Sequence, residues 1–127
     1  MKEFYEHDAW LDDLESAKLL EKAGFEWITP RYHGTWKGDG CNTEFNYYKR
    51  PTLYVVQRWF REVKHIDIIV DRVFNPCDMN YSNEYEYVII DSSGTVLMTT
   101  DKEYEIYEDA LASAIKRYLI EIVEKEN

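Results

Sequence analysis

Residues 50–70 read RPTLYVVQRWFREVKHIDIIV, and the change of period inside them decides the fold. From Thr52 to Lys64 the apolar residues Leu53, Val56, Trp59/Phe60 and Val63 recur at three and four, one face of a helix that starts at Pro51 or Thr52. At His65 the pattern becomes HIDIIVDRVF, a β-branched run that predicts a strand over about 66–73. A helix feeding straight into a strand marks a chain of mixed α and β structure. The same stretch gathers charge. Lys49, Arg50, Arg58, Arg61 and Lys64 stand against one acid, Glu62, so residues 49–64 carry +4 in a chain of net charge −10.

Working outward, residues 8–23 place Trp10, Leu14, Ala17 and Leu19/Leu20 at helical spacing, with Asp8 as N-cap and Lys18 and Lys22 near the end. Gly24 supplies a left-handed C′ position, and Phe25 is placed to pack back on the last turn. EWITPRYHGTW and CNTEFNYY flank a Gly-Asp-Gly turn and predict a hairpin over about 26–48, with Pro30 at an edge or bulge. NPCDMNYSNE has loop composition. EYEYVIID (84–91), the turn SSG and TVLMTT (95–100) predict a second hairpin. A last helix over 105–124 follows from Tyr104, Tyr107, Leu111, Ala114/Ile115, Tyr118, Leu119 and Ile122. Thr100 with Glu103 offers it a capping box, or it begins only near Ile106.

The expected order is α-β-β-α-β-β-β-α. It describes one α+β domain over 1–127, with helix plus hairpin in 8–48 and helix, three strands and helix in 50–124. The expected architecture is an antiparallel sheet with helices packed mainly on one face. A chain of 127 residues buries roughly two-thirds of its unfolded surface, and 45% hydrophobic with 16% aromatic content suits a packed core. No run of eighteen apolar residues exists, so a helical membrane span is excluded. The opening MKEFYEHDAWLDDLE is acidic and has no apolar signal-like stretch. Cys41 and Cys77 fit no disulfide framework and read as free thiols in a reducing cytoplasm.

Residues 50–122 resemble a family of small uncharacterised proteins from gut Bacteroidales and their phages. The resemblance rests on RPT followed by QRWFREVKHIDIIV, an aromatic strand, and YEDALASAIKRYLIEI. Phe60 stands where that family usually has leucine, and Ile106 where it usually has a threonine cap. The resemblance implies a fold and a phage or mobile-element source, and it implies no site. Residues 52–124 also resemble the double-stranded RNA-binding domain in order of elements. That domain would use a lysine cluster at the start of its last helix, where this chain has EIYEDA.

The candidate sites follow from these positions. Arg58, Arg61 and Lys64 are possible basic-face contacts, to be met by Glu105, Glu108 and Asp109 if the two helices pack side by side. Nucleic acid is disfavoured as a partner because an acidic chain repels phosphate and useful non-specific binding takes about six to ten phosphate contacts. Tyrosine numbers eleven, and Tyr32, Trp36, Tyr47 and Tyr48 cluster on the first hairpin as a possible partner-binding surface. His33, Cys41, His65 and Cys77 lack metal-ligand spacing, and no nucleophile motif joins them. Glu84, Glu86 and Asp91 fall on or beside one strand with no evident pocket. The reading is therefore a non-enzymatic interaction protein, cytoplasmic, without metal or cofactor, with a protein partner or a second copy of itself. The alternative is a nucleic-acid-binding domain that uses the basic helix 52–64.

Overall fold

Thr52 starts the central helix as the sequence predicts, its hydroxyl accepting from Val55 N at 3.2 Å. In the computed structural model, which describes residues 9–37 and 44–125, this helix is α2 (Leu53–Trp59) and runs into a π-helical turn over Phe60–Lys64. His65, left-handed at φ 59°, ends that turn, and Ile66 N donates to Phe60 O at 3.0 Å. The wide turn rotates the end of the helix. Val56, Trp59 and Phe60 are all wholly buried, whereas Val63, expected on the same stripe, is 46% exposed. The remaining elements are α1 (Leu14–Lys22), β1 (Tyr32–Lys37), β2 (Glu44–Lys49), β3 (Asp67–Asn75), β4 (Asn80–Ile90), β5 (Val96–Thr99) and α3 (Tyr107–Lys125). Class and order are those expected, α+β and α-β-β-α-β-β-β-α.

The strands form two antiparallel sheets rather than one: β1 with β2, and β3-β4-β5 with β4 in the middle. The separation has a local cause. Beyond β2 the chain pairs with the segment ahead of α1, where Trp10 bridges Thr52 and Leu11 N donates to Pro51 O at 2.8 Å. This pairing also corrects the first helix, which begins at Leu14 and not at 8. Asp13 caps it through Ser16 N at 3.2 Å, and Asp8 lies outside the described residues. Its end is as expected. Gly24, at φ 97°, donates to Glu21 O at 3.0 Å and Phe25 N to Leu20 O at 3.2 Å, the two bonds of a Schellman stop.

Other boundaries also move. Pro30 sits before β1, so the first strand starts at Tyr32, and the Gly-Asp-Gly turn lies outside the described residues. The expected loop NPCDMNYSNE is a four-residue turn at 76–79 followed directly by β4. Phe74 and Tyr81 pair across that hairpin with ring centroids 5.2 Å apart. Tyr104 does not enter the last helix. It exchanges backbone bonds with Tyr85, so no capping box forms at Thr100 and α3 starts at Tyr107.

The core lies between the inner face of β3-β4 and the helices. Ile68, Tyr87 and Ile89 meet Leu111, Ala114, Ile115 and Leu119 of α3 together with Val56, Trp59 and Phe60. Each large apolar side chain buried this way contributes about 1.5–3 kcal/mol. The outer face of the sheet carries the cross-strand pairs Ile69–Val88 and Ile90–Val96, partly exposed, and the like-charged pair Asp71–Glu86. The π turn gives a direct test. In urea denaturation Phe60→Ala should cost about 3–5 kcal/mol, while Val63→Ala should stay within about 0.5 kcal/mol of the parent. Equal losses would mean that the regular helical stripe is right.

Candidate functional site

The first hairpin places its residues by strand alternation. Tyr32 opposes Lys49, Gly34 opposes Tyr47 and Trp36 opposes Phe45, so these six positions share one side. His33 with Tyr48 and Thr35 with Asn46 share the other. Gly34 leaves room for the Phe45 ring, which would have to shift if a Cβ stood there. Phe45 meets Tyr47 edge-on at 4.4 Å, and Tyr47 meets Tyr32 edge-on at 6.5 Å. Tyr32 is 50% and Tyr47 64% exposed, so this aromatic row faces solvent.

Tyr32 and Tyr47 also line a cleft of about 310 Å³ between the hairpin and the end of α1. Buried Leu20 and Phe25 are among its lining residues, and Glu21 and Glu26 add carboxylates. Lys49 is held internally: its ammonium donates to Trp27 O at 3.0 Å and lies 5.8 Å from the Phe25 ring centroid. Of the expected partner-binding residues, Tyr32 and Tyr47 come together here, and Trp36 follows in register on the same side. Tyr48 does not join them. It is half-buried against the core with Lys18 Nζ 5.5 Å from its ring centroid.

Arg58, Arg61 and Lys64 lie on α2 and its terminal turn, with a different environment from the one expected. Arg58 pairs with Glu62 at 3.0 Å, Lys64 Nζ sits 5.6 Å from the Trp59 ring centroid, and Arg61 has no ion pair among the described residues. Neither Glu105, Glu108 nor Asp109 neutralises them. Instead Tyr54 donates to Glu108 at 2.8 Å, and desolvation together with that carboxylate pushes the Tyr54 pKa up to about 12. Helix-to-helix charge pairing occurs elsewhere, where Lys116 of α3 reaches Asp13 at 3.0 Å and Glu15 at 3.2 Å beside α1.

The residues considered for metal or nucleophile chemistry are dispersed. His33 donates from Nε2 to Leu11 O at 2.7 Å, His65 terminates the π turn, and Cys77 is an exposed free thiol at the β3–β4 turn. Cys41 lies outside the described residues. Among the described residues no three such side chains gather as a metal site. Asp91 organises the β4–β5 turn, accepting from the Ser93 hydroxyl at 2.6 Å, from Thr95 N at 3.0 Å and from Ser93 N at 2.9 Å, and these bonds hold its pKa low. Glu84 bonds with Glu103, which raises its pKa, and Glu86 opposes Asp71 on the outer face. No helix among the described residues is long and apolar enough to cross a membrane.

One polar network was not legible in the sequence. Tyr104 donates to Asp101 at 2.8 Å, Tyr87 donates to it at 3.2 Å, and Ser113 donates to the Tyr104 hydroxyl at 2.7 Å. Arg117 donates to the Tyr87 hydroxyl and, at 2.9 Å, to Thr99 O. The group ties the chain after β5 to α3. No family model matches the chain, and neither a curated protein nor a solved structure matches it.

Desolvation raises the Asp101 pKa, but the tyrosine bonds and the Arg117 charge outweigh it, so the carboxyl titrates below its ordinary 3.8. Its contribution to stability is thus present above the unfolded value and lost as pH falls through the lowered folded value. Asp101→Asn should therefore reduce the thermal midpoint at pH 7, with the deficit shrinking on titration below pH 3.8. A deficit independent of pH would show that the carboxylate charge is not what matters.

Proposed function

We propose that this protein is a non-enzymatic interaction module that binds a partner protein through the tyrosine-walled cleft of its first hairpin. The reading rests on one observation. Tyr32 and Tyr47 stand exposed beside a cleft of about 310 Å³ whose lining includes the buried side chains of Leu20 and Phe25. Tyrosine presents a large, stiff, amphipathic surface at small entropic cost, which is why it is enriched where partners bind. A cleft of this size takes one apolar or aromatic side chain of a partner beside the two exposed tyrosines. The sequence resemblance adds a source and with it a role as accessory factor of a phage or mobile element, and the two cysteines read as free thiols add a cytoplasmic setting.

A second reading is supported by Arg58 on α2, paired only with Glu62, and Arg61 on its terminal turn, neither of which meets a carboxylate of α3 among the described residues. Those charges would dock a nucleic-acid backbone if this segment works like a double-stranded RNA-binding domain. Two side-by-side measurements separate the readings. Affinity capture from the native host should recover a stoichiometric protein. Recovery should be lost in Tyr32→Ala/Tyr47→Ala, at a cost of about 2 kcal/mol or more, and kept in Arg58→Glu/Arg61→Glu. Duplex RNA binding at low salt, abolished by the arginine changes and indifferent to the tyrosine changes, would replace the first reading with the second.

A further inference from the structure

Two arginines meet below the first hairpin with too few acceptors between them. Arg50 N donates to Arg31 O at 2.9 Å, which extends the β1–β2 register by one pair. On the other side of Arg50 runs the segment ahead of α1, tied by the Trp10–Thr52 bridge and the bond from Leu11 to Pro51. Alternation puts Leu11 and Pro51 inward, where both are buried, and gathers Trp10, Asp12, Arg31 and Arg50 on the opposite side. The observed contacts agree. Arg50 pairs with Asp12, and the Arg31 guanidinium lies 4.4 Å from the centre of the Trp10 ring.

The charges and donors do not balance. Two guanidinium groups stand beside the single carboxylate Asp12, which pairs with Arg50 alone, and Arg31 has no ion pair among the described residues. Directly opposed like charges on neighbouring strands are unfavourable. Trp10 is only 6% exposed, yet its Nε1–H has no acceptor among the described residues, and the buried Nε–H of Arg50 has none among them either. Each such orphan costs about 1–3 kcal/mol, and two in one junction call for an acceptor that is not part of these residues.

We propose that this junction is an oxyanion-binding site, in which the Arg31 and Arg50 guanidiniums hold a carboxylate or phosphate group and Trp10 Nε1–H supplies a further donor. The chemistry required is one anionic group with several acceptor oxygens, because guanidinium N–H groups match both planar carboxylates and phosphate oxygens. Arg31 is exposed and rests on the indole face, so its side chain is the part that moves aside to admit the anion. The site is separate from the tyrosine cleft and does not rest on the reading given to that cleft. In a chain of net charge −10 its selectivity comes from short hydrogen bonds and not from the long-range field.

The test uses the full chain labelled with nitrogen-15. The Trp10 indole N–H and Arg50 Nε–H signals, assigned with Trp10→Phe and Arg50→Lys, are followed during additions of inorganic phosphate or acetate. Sodium chloride holds ionic strength constant throughout. Both signals should move and saturate with at least one anion, and Arg31→Gln, a change at an exposed side chain, should weaken binding about tenfold, as expected for one lost charge-assisted bond. Saturation by phosphate alone identifies a phosphate-bearing ligand, and saturation by acetate identifies a carboxylate. Signals that respond only as they do to chloride, or an Arg31→Gln protein with unchanged affinity and an otherwise native spectrum, would overturn the proposal.

Discussion

Trp59 and Phe60 are neighbours in the chain, and both are completely buried. Successive residues on a helix point about 100° apart, so this helix must be covered over a wide arc. Two elements do the covering. Phe25, just past the end of α1, meets Trp59 edge-on at 5.5 Å, and Tyr118 of α3 meets Phe60 edge-on at 5.6 Å. Trp27 extends the row beyond Phe25 at 6.2 Å. A chain of ring contacts thus joins α1, α2 and α3 before the sheet is considered, and edge-on ring pairs add about 0.5–1.5 kcal/mol each beyond the area they bury. The Schellman stop after α1 matters because it delivers Phe25 to that row.

The same geometry divides the basic stretch into two parts with different fates. Lys49 and Arg50 turn toward the body, one bonding to Trp27 O and the other to Asp12. Arg58, Arg61 and Lys64 stay on the solvent side of α2. Cations elsewhere in the chain also act inward or between elements, as Lys116 does with Asp13 and Glu15 and Arg117 with Tyr87 and Thr99. A surplus of acid remains on the outside. Ion pairs and hydrogen bonds from Arg50, Lys116 and Arg117 thus join separate elements, while Arg58 and Arg61 remain exposed.

Much of the fold was legible because period encodes it. The stripe Leu111, Ala114/Ile115, Leu119 identified α3, and the switch at His65 located the start of β3. What the sequence hid were features that depend on distant backbone bonds. Trp10 has helical spacing relative to Leu14, yet its backbone bridges Thr52, forty-two positions away, and no local pattern announces that. Tyr104 fits the α3 stripe but pairs with Tyr85. The polar run NPCDMNYSNE looks like a loop, while the Phe74–Tyr81 contact and a tight turn make most of it strand. At the candidate cleft, composition singled out the tyrosines, but only the register separates outward Tyr32 and Tyr47 from inward-packed Tyr48.

The like-charged Asp71–Glu86 pair has a use once the borders of the three-stranded sheet are considered. Among the described residues β3 and β5 stand at the two borders of that sheet, and the face between them offers Ile69, Val88 and Val96. A flat apolar surface with free borders invites chain-to-chain stacking and fibrillar growth. Acids set beside those side chains make a second molecule pay in repulsion before its strand can add. What looks like a small local flaw within one molecule thus protects a crowded solution of them.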